Sequence, residues 1–77
     1  MVDFIINLVN GDKFHLKTDY KRVTVHNRMA MLYYIEQFSQ VSRYDIKSIT
    51  KATKEEVKGC SLVITVRRSM VQRFNAQ

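Results

Sequence analysis

A chain of 77 residues with 13 Lys+Arg, 7 Asp+Glu and a net charge of +6 has room for one small domain. Near this size a domain buries only about 60% of its unfolded surface, so the core must be small. With 45% hydrophobic residues and 1 Cys, the chain is too apolar for a disordered tail and cannot hold an internal disulfide framework.

Apolar runs are a few residues long, too short to span a bilayer. The start Met1-Val2-Asp3-Phe4 lacks the basic and apolar regions of a signal peptide. A cytoplasmic, reducing setting is therefore expected, with no membrane partner.

Val2, Phe4, Ile6 and Leu8 alternate with Asp3, Ile5, Asn7 and Val9, which is the period of a strand. Asn10-Gly11 follows, and then Phe14 and Leu16 alternate with Lys13, His15 and Lys17; this predicts a hairpin. Register decides the turn. A two-residue Asn10-Gly11 loop sets Phe14 opposite Asn7 and mixes the faces. A three-residue Val9-Asn10-Gly11 loop sets Phe14 opposite Ile6 and Leu16 opposite Phe4, giving one apolar face with Gly11 in the left-handed position of a bulge. On the outward face His15 reads as an exposed strand histidine, or as a member of a second basic patch with Lys13 and Lys17.

Val23 and Val25 flank Thr24 in a short β-like run, either a third strand or the approach to a helix. Asn27 suits an N-cap. Beyond it Met31, Tyr34, Ile35, Phe38 and Val41 recur at steps of three and four, predicting a helix over 28–41 with these residues inward.

Residues 44–59 carry two patterns. As a helix, Lys47, Lys51, Lys54 and Lys58 form a narrow stripe opposite Ile46, Ile49, Thr53 and Val57, with Gly59 as the stop. As a strand, Tyr44, Ile46 and Ser48 share a face while Ile49 falls on the other. The favoured reading is a strand to about Thr50, then a short helix opened by a Thr53-to-Glu56 capping box. Ser61 to Arg67 is the clearest central strand, with Leu62, Ile64 and Val66 on one face. Residues 68–77 form a basic tail, frayed or helical.

These elements assemble as one α+β domain over 1–77: a small antiparallel sheet packed against one main helix, in the order β-β-α-β-β, with a possible second short helix within 46–58. The expected core is Phe4, Ile6, Leu8, Phe14, Leu16, Leu62, Ile64 and Val66 from the sheet, and Met31, Ile35 and Phe38 from the helix.

The motifs of catalysis are missing. Both glycines are isolated, so no phosphate-cradling loop forms. His15, His26 and Cys60 have no paired metal-ligand spacing, and Glu55 and Glu56 are adjacent and diverge. No enzyme activity, metal, cofactor or small-molecule substrate is expected.

Charge is the remaining signal. Residues 1–40 hold five bases against four acids, and residues 41–77 hold eight against three. The set Arg43, Lys47, Lys51, Lys54, Lys58, Arg67, Arg68 and Arg73 would contact phosphates or an acidic protein surface, or simply face solvent. Tyr33 and Tyr44 would stack on bases or anchor an interface. Two readings follow: a binder of nucleic acid or of nucleic-acid machinery, and a regulator or inhibitor docking on an acidic surface of a larger protein. In size and charge the chain is similar to many small phage or mobile-element proteins, which often act by docking on a host enzyme.

Overall fold

The computed structural model describes residues 1–76; Gln77, at the end of the expected tail, lies outside the described residues. Strands β1 (Val2–Leu8) and β2 (Lys13–Thr18) pair antiparallel, with Ile6 opposite Phe14 and Phe4 opposite Leu16. This is the register of the three-residue loop. Gly11 closes it at φ 94°, its N–H donating to the Leu8 carbonyl at 3.0 Å. A residue without Cβ takes that conformation at no steric cost.

Helix α1 spans Arg28–Ser39 and stops at Gln40, a left-handed residue at φ 63° whose N–H donates to the Glu36 carbonyl. Asn27 holds the N-cap position, but its side chain does not cap. Instead its amide oxygen accepts from the Thr24 N–H at 2.8 Å, and its nitrogen donates to the Arg22 carbonyl at 3.0 Å. The buried amide thus braces the connection from β2, and Val23 and Val25 lie in that connection rather than in a strand.

Strand β3 (Ile46–Lys51) follows a 3-10 turn at Arg43–Asp45 and pairs antiparallel with β1. Ile49 lies opposite Ile6 and Ser48 opposite Asn7, but Leu8 then meets Ile46, leaving Lys47 as the extra residue of a bulge. The bulge lets both isoleucines reach the core, which strict alternation forbids. Helix α2 (Lys54–Lys58) opens with the expected capping box: Thr53 Oγ1 accepts from the Glu56 N–H, and Glu56 Oε1 accepts from the Thr53 N–H. The division into strand and helix means that the continuous lysine stripe of an unbroken helix does not form.

Strand β4 (Val63–Val66) completes the sheet in the order β3-β1-β2-β4. The fold is α+β with the order β-β-α-β-β. One expectation is corrected: the sheet is mixed, because β4 pairs with β2 in parallel, Leu16 opposite Ile64 and Thr18 opposite Val66. Residues 52–62 cross from one sheet edge to the other and return to the hairpin end, so β4 must run in the direction of β2.

The tail forms helix α3 (Arg68–Asn75), which packs beside α1. This third helix changes the buried arc of α1. Ala30, Met31, Leu32 and Ile35 are buried, whereas Phe38 is 51% exposed, contrary to the expected core list. Tyr34 is held between the helices, its hydroxyl donating to the Met70 carbonyl at 3.0 Å, and Phe38 lies against the Tyr34 ring outside the core. Phe14 and Leu62 are half-buried at its margin.

The second sheet face carries Ile5 and His15, which oppose each other across β1 and β2. Both are buried, His15 at 3% exposure, which corrects its expected exposure. The crossing segment with α2 lies beside β1 on this face, and Glu56 reaches Lys13 there at 3.2 Å. His15 Nε2 lies 2.7 Å from Asp3 Oδ1.

Candidate nucleic-acid interface

Strand direction builds the site. β2, β3 and β4 run the same way and β1 runs against them. Three strands therefore end where β1 begins. At that end the chain places Lys17 and Lys21 from β2 and its exit, Lys51 from β3, and Arg67 and Arg68 after β4. Lys54 and Lys58, one helical turn apart on α2, join them by lining a cleft of about 300 Å³ with Asp3, Thr53 and Val57. All seven cations are exposed, and among the described residues none is in an ion pair.

Three acids share this end: Asp3 and Asp19 are engaged, and Glu55, exposed on α2 between Lys54 and Lys58, is in no ion pair among the described residues. Asp3 is bonded to His15, and Asp19 Oδ2 accepts from the Arg68 backbone N–H at 2.9 Å, satisfying a donor at the start of α3. Asp3, Lys17 and Thr65 lie side by side across β1, β2 and β4, and alternation puts Arg67 on the same face as Thr65. On the helical side the Arg68 guanidinium sits 4.5 Å from the centre of the Tyr20 ring. Tyr20, Lys21, Arg22 and His26 border a second cleft of about 460 Å³ floored by Val71.

The hairpin end is different. It holds Asp12, Glu36 and Asp45 with Lys13, Arg43 and Lys47, and Glu56 reaches toward it from α2. Arg43 donates from Nη2 and Nε to Glu36 Oε1, at 2.7 and 3.0 Å, and from its backbone N–H to Oε2 at 2.9 Å. Those bonds, side chain first and backbone second, hold the Glu36 carboxyl below its ordinary range and raise the Arg43 guanidinium. Glu56 is lowered mainly by the Thr53 backbone N–H and next by Lys13.

Of the residues predicted from sequence, the structure brings Lys51, Lys54, Lys58, Arg67 and Arg68 to this end of the sheet, with Lys51, paired with Phe4, on the α1 face and Lys17, paired with Asp3, on the other. It does not gather the rest. Arg43 is bound to Glu36, and Lys47 lies at the bulge, about 13 Å along the strand from Lys51. Arg73 is five residues along α3 from Arg68, about 7.5 Å of helix. Tyr33 packs against Phe74 with ring centres 5.2 Å apart, and Tyr44, 86% exposed, stands at the hairpin end. Lys17 and Lys21 lie in the nearly balanced first half and are not in the predicted set, Lys17 being expected only as a member of a second basic patch with Lys13 and His15. The outward position of Lys17 was readable from alternation; its proximity to Arg67 was not.

Among the described residues no three His, Cys, Asp or Glu side chains cluster to hold a metal. Cys60 is half-buried before β4. Among the described residues no helix is long and apolar enough to cross a membrane. The chain matches no protein-family model, no curated protein and no solved structure.

Proposed function

We propose that this protein is a non-catalytic module that binds nucleic acid, alone or within nucleic-acid-processing machinery, through the phosphate backbone. The observation that carries the reading is the excess of positive charge at one end of the sheet: seven cations without ion-pair partners among the described residues, against three acids, of which Asp3 and Asp19 are engaged. Flexible lysines on several elements suit phosphates, since each contact releases a counterion whatever the sequence of the strand. Such a field also speeds encounter with a polyanion.

A second reading, docking on an acidic protein surface, draws on a different observation. Tyr33 and Phe38 are exposed on α1 beside Tyr34 and Phe74, and aromatic side chains anchor protein interfaces. The two readings separate in one titration. Fluorescence anisotropy with a labelled 20-mer DNA at about 50 and 200 mM salt should show binding that weakens steeply with salt. Absence of binding at the lower salt rejects the nucleic-acid reading.

A further inference from the structure

Resting on that reading, we infer that the basic end is regulated by a proton: the buried His15 and its partner Asp3 set a carboxylate among the cations, and protonation of His15 cancels that charge and tightens the hold on phosphates.

Asp3 stands where its charge opposes an anionic ligand. It lines the cleft of about 300 Å³ with Lys54 and Lys58, and it lies opposite Lys17 across β1 and β2. Its side chain is 46% exposed, against 3% for that of His15. The imidazole is thus shut in, while the carboxylate it holds remains open to the cleft. His15 Nε2 is 2.7 Å from Asp3 Oδ1. An ionised carboxylate only accepts, so Nε2 carries a hydrogen in either charge state of the ring. The proton that comes and goes is the one on Nδ1. Without it the pair has a charge of −1, and with it the pair is neutral. The contact is kept in both states, and the charge beside Lys17, Lys54 and Lys58 changes by one unit.

The other groups around His15 do not duplicate this role. On β2, Lys13 and Lys17 share its face, and Lys13 is bonded to Glu56. β4 sets Val63 opposite His15 and brings no charge. The crossing segment carries Lys54, Glu55, Glu56, Lys58 and Cys60. The Thr53 backbone N–H and Lys13 hold the Glu56 carboxyl below its ordinary range, so it stays ionised. Imidazoles are the side chains that ordinarily change charge between about pH 5 and 8. The second histidine, His26, is exposed and borders the other cleft with Lys21 and Arg22, which makes it the control.

Removing one unit charge from a partly solvated site a few ångströms from a phosphate changes affinity by about three- to tenfold at low salt. The test is fluorescence anisotropy of the full chain with a labelled 20-mer DNA at about 50 mM salt, from about pH 8 to 5.5. The parent should bind about three- to tenfold tighter at the acid limit. Two variants fix the pair in opposite states. His15→Gln keeps a buried amide for Asp3 and should hold affinity at the parent's pH 8 level throughout. Asp3→Asn should bind at pH 8 as the parent does at the acid limit, with a flatter profile, since a buried imidazole without a carboxylate resists protonation. His26→Gln should keep the parent's profile. Circular dichroism at each pH checks the fold, and if His15→Gln fails to fold, Asp3→Asn and His26→Gln decide the matter. A parent whose affinity changes less than about twofold across the range would overturn the inference and leave the nucleic-acid reading standing. So would a pH response that disappears in His26→Gln. Absence of binding at every pH would reject the nucleic-acid reading, and the inference with it.

Discussion

The hairpin end and the opposite end of the sheet use charge in different ways. At the hairpin end Glu36 binds Arg43 through three contacts, and Glu56 binds Lys13 while capping α2. Charge there is consumed in closing the chain: Glu36 ties the end of α1 to the turn before β3, and Glu56 ties α2 to the sheet. At the other end Asp3 and Asp19 satisfy a buried histidine and a helix start, and the cations, with Glu55 among them, face water. The difference teaches that net charge alone does not locate a binding surface. Cations already matched by nearby carboxylates contribute to folding, and those left over can act on a partner. The two ends should accordingly fail in different assays.

The largest expected effect removes both ends at once. Ile35 is fully buried between α1 and the sheet, and Ile35→Ala should cost about 2–5 kcal/mol, enough to unfold a small domain. Phe38→Ala, on the same helix, should cost less than about 1.5 kcal/mol because half of its surface is already wet. Chemical denaturation of the two variants checks this, and equal losses would reject the assigned face of α1.

Next comes the basic end alone. Replacing Lys17, Lys54 and Arg67 together with Gln should flatten the salt slope of DNA binding by up to about 3 units while leaving the melting temperature near that of the parent. The comparison pair is Arg43→Gln with Lys47→Gln, which should lower the melting temperature and barely change the slope. If this pair weakens binding as much as the triple variant does, the polarity between the ends carries no function.

At the hairpin end, Gly11→Val should cost more than about 1 kcal/mol, since a β-branched residue resists a positive φ. A Cβ at Gly11 meets no atom within 4 Å, so the cost is conformational and not steric contact with the core. Binding by the folded fraction should be unchanged.

Acid should reveal the two engaged glutamates. Folded Glu36 and Glu56 lie below their ordinary 4.5, so their contribution is present above that value and is lost as pH falls through the lowered range. Melting curves from pH 6 down to about 3 should drop most steeply there, and Glu36→Gln combined with Glu56→Gln should flatten the drop. An unchanged acid profile in the double variant would show that other groups set it. The smallest effect is a gain. Gln40 holds φ 63°, and Gln40→Gly should raise stability by up to about 1 kcal/mol without altering binding.

Much of this molecule follows from residues close together in the chain. Alternation in 2–8 and 13–18, with the turn Val9-Asn10-Gly11, determines the hairpin and its register, because a one-residue slip would turn Phe14 and Leu16 away from Ile6 and Phe4. Thr53 and Glu56 determine the start of α2 through reciprocal bonds three residues apart. The β-β-α-β-β order was legible for the same reason. What the tertiary structure decided depends on partners distant in sequence. The bulge at Lys47 exists because β3 pairs with β1, and it places Ile46 and Ile49 on one face. Phe38 is displaced from the core because α3 returns to pack on α1. His15 is buried because residues 52–62 cross its face. That crossing also sets β4 parallel to β2 and brings Arg67 to the end of the sheet where Lys17 lies. Composition could show that the second half of the chain is basic. Only strand order and direction could draw Lys17 and Lys21 into that charge and remove Arg43 from it, since electrostatic contact is made by distance in space and not by separation along the chain.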